Sequence, residues 1–106
     1  MTMDPIRRIA FVRIARAALG CSDTIVQRWL PHGKRIGAEW VSRNPTRDDR
    51  RPGSFKVNLS TGAWADFATG DAGADLVSLA AYLFRLKQGE AALRVAHMLS
   101  ADPYDR

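Results

Sequence analysis

Seven basic residues fall between positions 34 and 56: Lys34, Arg35, Arg43, Arg47, Arg50, Arg51 and Lys56. Guanidinium groups on a loop beside a sheet grip phosphate oxygens with a planar fork of donors, and lysines add point charges. Asp48 and Asp49 sit inside the same run, so the competing reading is a solvated loop whose charges partly cancel. Arg43 and Lys56 are spaced so that both can point out of a sheet. Four aromatic residues, Trp40, Phe55, Trp64 and Phe67, are interleaved with these charges. An exposed ring stacks on an unpaired base, at about 1–3 kcal/mol per base. A small sheet also needs large side chains for its core, and most of the four are expected there. Phe55 shares a face with Val57 and Leu59 and reads as core. Trp64 alternates with Ala63 and Ala65 and shares a face with Asp66, which makes it the stacking candidate on the outer face.

Other chemistry is thinly supplied. Asp66, Asp71 and Asp75 carry enough charge for a magnesium ion, but turns and a helix cap account for them. Asp75 reads as the cap, with Ser78 reaching back. The Gly70-Asp71-Ala72-Gly73 loop precedes a helix start, where phosphate is favoured, yet Asp71 and Asp75 repel anions. Cys21, His32 and His97 show no metal-ligand spacing and no nucleophile–base arrangement. No P-loop, dinucleotide fingerprint or catalytic triad is present. The chain is expected to be no enzyme and to hold no metal or cofactor.

The net charge of +5 in 106 residues is unevenly spread. Residues 1–30 carry a net +3 and residues 31–56 a net +4, whereas residues 57–106 carry −2. A basic first half favours a polyanionic partner, most often nucleic acid. The composition, 46% hydrophobic and 25% charged, is that of an ordinary globular chain. One cysteine excludes an intrachain disulfide and fits a reducing compartment. Arg13 and Arg16 interrupt the apolar stretch 9–19, so no run reaches membrane-spanning length. A cytoplasmic location with no membrane partner is expected.

The elements that must position these residues follow from local patterns. Residues 4–19 read as a helix, with Asp4 as cap, Pro5 in the first turn and Gly20 as stop. A short helix over 22–30 directs Val26, Trp29 and Leu30 inward. Lys34 to Asn44 reads as one strand, residues 45–53 as a charged loop, and residues 54–59 as a strand of strict alternation. Ser60-Thr61-Gly62 makes a hairpin turn, and Ala63 to Phe67 returns as the partner strand. Leu76, Leu79, Ala80, Leu83 and Leu86 recur at helical spacing after Asp75, and a last helix runs from Gln88 to Leu99. The tail from Ala101 is expected to fray. The order predicts one α+β domain: a small antiparallel three-stranded sheet flanked by two N-terminal and two C-terminal helices. It divides into a helical part, 1–31, a sheet with two helices, 34–99, and a tail, 100–106.

Three segments together carry a family resemblance: Gly53-Ser54-Phe55-Lys56-Val57-Asn58, then Gly62-Ala63-Trp64-Ala65-Asp66-Phe67, then Gly70-Asp71-Ala72-Gly73-Ala74-Asp75-Leu76-Val77-Ser78-Leu79. The string resembles the zinc-ribbon domain of bacterial, plasmid and phage DNA primases, followed by a helix of Glu-Ala-Ala type at Glu90-Ala91-Ala92. The resemblance covers about half the chain. That family holds zinc through a Cys-x-x-His or Cys-x-x-Cys pair before the hairpin and a Cys-x-x-Cys pair after it. Here the first pair falls near Trp40–Asn44 and the second near Asp66 and Thr69, and none of these is Cys or His. The chain therefore resembles a ribbon without its zinc ligands, held by aromatic packing and the flanking helices.

The resemblance implies a role beside single-stranded template in plasmid or phage replication, with a separate primase or helicase as partner in trans. On this reading Lys34, Arg35, Arg43, Arg47, Arg50, Arg51 and Lys56 hold the backbone and Trp64 stacks. The alternative is a protein-interaction module of a mobile element, an adaptor or an inhibitor of a nucleic-acid-handling partner. The loosely patterned N-terminal helix suits that alternative and is compatible with a homodimer.

Overall fold

A computed structural model describes residues 8–47 and 53–105. Among the described residues the chain forms four helices, a five-stranded antiparallel sheet and a two-stranded ribbon. The α+β class, with two helices before and two after a small antiparallel sheet in chain order, agrees with the sequence reading.

The ribbon joins the two ends. Strand β1, Arg8–Ile9, pairs with the tail strand Tyr104–Asp105, here β7. The Ala10 backbone N–H donates to Pro103 O at 2.8 Å, and the Arg13 guanidinium donates to Tyr104 O. The tail is thus pinned rather than frayed, because its backbone finds partners beside the N-terminal helix. Pairing at Arg8 and Ile9 also delays that helix: α1 spans Phe11–Leu19. The proposed start at Asp4 and Pro5 lies outside the described residues. Ile14 and Ala18 bury one side of α1 against α3 (Leu76–Phe84) and α4 (Gln88–Met98). Helix α2, Ser22–Trp29, follows at once, and Ser22 Oγ donates to Leu59 O at 2.9 Å, tying α2 to the sheet.

Strands β2 (Lys34–Ile36), β3 (Glu39–Ser42), β4 (Phe55–Asn58), β5 (Trp64–Asp66) and β6 (Ala72–Gly73) form a meander in chain order. The segment 34–44, expected as one strand, is a hairpin. Gly37 adopts φ +61°, a left-handed conformation that turns the chain, so Arg35 pairs with Trp40 across the bend. The loop expected over 68–74 contributes β6, which pairs Gly73 with Trp64 and Ala72 with Ala65. These two short edge strands widen the three-stranded core sheet to five. The turn at Ser60-Thr61-Gly62 forms as expected: Gly62 has φ +81°, and the Asn58 side chain accepts from the Ser60 and Thr61 N–H groups at 2.8 and 3.1 Å.

Partners across an antiparallel ladder point to the same face. One row of the sheet is Arg35, Trp40, Val57, Trp64 and Gly73, and a second is Ser42, Phe55 and Asp66. These rows form the inner face, where Phe55, Val57 and Asp66 are fully buried. The row between them, Lys34, Val41, Lys56, Ala65 and Ala72, forms the outer face. Helices α3 and α4 close the inner side with Leu76, Val77, Leu79, Ala92 and Val95. Helix α3 starts in a capping box: Asp75 accepts from the Ser78 N–H at 2.8 Å, as its sequence predicts. No helix among the described residues is long and apolar enough to cross a membrane.

Candidate nucleic-acid interface

The inner face holds one sequence-predicted site residue and engages a second. Trp64 is 5% exposed, stacks on Phe55 at 5.9 Å between centroids, lies tilted against Tyr82 at 4.6 Å, and donates its indole N–H to Ser78 Oγ at 3.0 Å. A Cβ at Gly73 would run into its ring, so this glycine is what lets β6 close over the indole. The expectation that Trp64 stacks on a base is therefore corrected. It does share a face with Asp66, but Asp66 is itself buried, and that face is the core.

Asp66 is buried because its charge is fully partnered. Arg47 forks it, Nε to Oδ2 at 3.0 Å and Nη2 to Oδ1 at 3.3 Å. Asn44 donates from Nδ2 to Oδ2 at 2.8 Å, and the Ala68 N–H donates to Oδ1 at 2.9 Å. Burial by itself would raise the Asp66 carboxyl. The hydrogen bonds from Arg47, Asn44 and Ala68, together with the Arg47 charge, outweigh it and hold the group at about 2 against an ordinary 3.8. The network continues outward: Asn44 Nδ2 donates to Tyr82 Oη at 2.8 Å, and Tyr82 donates to Asp71 Oδ2 at 2.8 Å. Arg47 is thus engaged with a buried carboxylate, while about a third of its side chain stays exposed. Asp66, Asp71 and Asp75 do not converge either, because each has a different partner.

The residues present do not fit the zinc ion that the resemblance implies. The positions near the expected pairs carry an amide, a guanidinium and a saturated carboxylate. No group of three or more His, Cys, Asp or Glu side chains among the described residues could hold a metal ion.

On the outer face the picture reverses. Lys34 and Arg43 are exposed, and Lys56 is half-buried on the central strand β4. Phe67, just past β5, is 72% exposed, and Lys56 Nζ lies 5.6 Å from its ring centroid. A shallow depression of about 190 Å³ beside them is lined by Glu39, Lys56, Asn58, Ala65 and Phe67. Small side chains at Ala65 and Ala72 leave the ring open on one side. Arg35 belongs to the other parity and pairs with Asp23 at 3.5 Å. Arg50 and Arg51 lie outside the described residues. The ladder thus brings Lys34 and Lys56 to the outer side, with Phe67 as the exposed aromatic residue that Trp64 was expected to be, while Arg43 lies past β3 beside a separate hollow lined by Trp29, His32 and Arg47. The signal was available: Phe67 is three residues from Trp64 and so falls on the opposite face.

No protein-family model matches the chain, and no curated protein matches it in sequence. Among solved structures its fold is similar to the Aquifex aeolicus primase, in a crystal structure of the zinc-binding and RNA polymerase domains, with a TM-score of 0.73 at 20% identity. The match covers 90% of this chain and 22% of that one, so the chain spans about a fifth of the primase structure. The likeness is one of fold.

Proposed function

We propose that this chain, with its primase-like fold, is a nucleic-acid-binding module that engages single-stranded DNA across the outer face of its sheet. The observation that carries this reading is the exposed Phe67 ring with the Lys56 ammonium over it, on the same face of the sheet as Lys34. A ring open to solvent serves any base, and neighbouring cations follow the phosphates, which gives binding without strong sequence preference. Arg50 and Arg51 extend the basic set along the chain. The module is not itself an enzyme. It assists replication or priming by holding template for a separate primase or helicase.

The experiment is a titration against fluorescent single-stranded and duplex DNA at two salt concentrations. Submicromolar binding to single strands that weakens steeply with salt supports the reading, since each phosphate contact releases counterions. No binding at low salt overturns it. A second reading, a protein-interaction module, is favoured by one feature. Trp29, Phe84, Leu86, Arg94 and Met98 line a groove of about 400 Å³ on the helical side, where Phe84 is 51% exposed. Failure to bind DNA, with retention by a replication protein through this groove, would select it.

A further inference from the structure

We propose that the Arg47 guanidinium is the structural cation of this fold, doing by charge and hydrogen bonding the cross-linking that a metal ion does in a ribbon, so that the domain folds without metal. The inference concerns folding and stands whether or not DNA binds.

Arg47 and Asn44 belong to the loop that leaves β3, and Asp66 ends β5 on the far side of β4. No ladder hydrogen bond joins β3 to β5, because β4 lies between them. The contacts from Arg47 and Asn44 to Asp66 therefore cross a strand and close the end of the sheet. Arg47 Nη2 also donates to Ser54 Oγ at 3.3 Å, so the same fork reaches the entrance of β4. Three successive parts of the chain meet at one cationic group.

The donor count excludes a metal at this point. A carboxylate offers about four lone-pair sites. Asp66 receives Arg47 Nε and Asn44 Nδ2 on Oδ2, and Arg47 Nη2 and the Ala68 N–H on Oδ1. The lone-pair-bearing Asn44 Oδ1 is turned to the Thr46 N–H and Oγ1 at 2.9 and 2.7 Å. The charge that a divalent ion would neutralise is already neutralised by the guanidinium. A structural zinc site contributes folding energy outright, and chelators unfold its host. A guanidinium neither dissociates nor depends on oxidisable thiolates, so this fold should be indifferent to chelators.

The test uses the full chain and thermal unfolding. Wild-type protein should keep its Tm within about 2 °C in excess EDTA, and titration with Co(II) should produce no ligand-field absorption. Arg47→Met leaves the Asp66 charge buried without its partner and should lower Tm by roughly 10–20 °C. Arg47→Lys keeps the charge but loses the fork and should fall between the two. Arg47→Met with Asp66→Asn should lose clearly less than the two single changes added together. If Arg47→Met does not fold, the Lys variant and the two metal arms still decide. A wild-type Tm that drops by more than about 5 °C in EDTA, stoichiometric Co(II) binding, or an Arg47→Met protein as stable as wild type would each overturn the proposal.

Discussion

On the inner face of the sheet a cation from the loop after β3 meets a buried anion at the end of β5. On the outer face a lysine meets an aromatic ring, and both remain accessible. Arg47–Asp66 and Lys56–Phe67 lie on opposite sides of the same strands, and Asp66 and Phe67 are adjacent in sequence. The period-2 alternation of a strand sends one to the core and its neighbour to solvent. The inner pair holds the fold together, because breaking it strands a charge without solvent. The outer pair contributes little to stability and is free to meet a ligand. Residue type alone therefore does not separate structural cations from binding cations here; the face does.

The sharpest way to break this contrast is to exchange the roles of the two aromatics. Trp64→Ala should cost about 3–5 kcal/mol of stability, read from denaturant unfolding, because it removes one ring of the buried cluster with Phe55 and Tyr82. Phe67→Ala should change stability by no more than about 0.5 kcal/mol. It should instead weaken single-stranded DNA binding by about 1–3 kcal/mol, measured by fluorescence anisotropy. A Phe67→Ala protein with unchanged affinity would remove the outer face from the binding surface.

Acid should distinguish the two pairs next. The Asp66 carboxyl is held at about 2 in the fold against 3.8 ordinarily. The unfolded chain then binds the proton more tightly, and stability falls as pH drops below 3.8 toward 2. Above that window the contribution is fully present. Urea midpoints across this range should slope downward in wild type and more shallowly in Asp66→Asn. Equal slopes would show that Asp66 is not the group responsible.

Smaller effects lie on the surface. Lys56→Ala should reduce the dependence of log K on log salt by about 0.7 for single strands, the share of one phosphate contact. Fold stability should be almost unaffected, since melting reports the inner face. Arg35→Ala should be the mildest, within about 0.5 kcal/mol in stability, because its pair with Asp23 is largely solvated.

Much of this architecture was legible in local patterns. Phe55, Val57 and Leu59 announce a half-buried strand, Asp75 and Ser78 announce a capped helix, and Gly62 announces the turn between two strands. The basic run from Lys34 to Lys56 is equally plain. Face is harder to read: a charged residue such as Asp66 normally marks the solvent side, yet Asp66 and Trp64 both face the core. Gly37 turns the chain inside the segment 34–44 and divides it into β2 and β3.

The sequence by itself determined the order of the four helices and the central β4–β5 hairpin, because capping, alternation and turn chemistry act within a few residues of one another. Only the tertiary structure decided which face each charge would serve. Asn44 and Arg47 lie about twenty positions from Asp66, and their meeting depends on β4 passing between them. Burying a carboxylate is unfavourable until a forked guanidinium and two further donors arrive together, and that convergence belongs to the fold, not to any local stretch of chain.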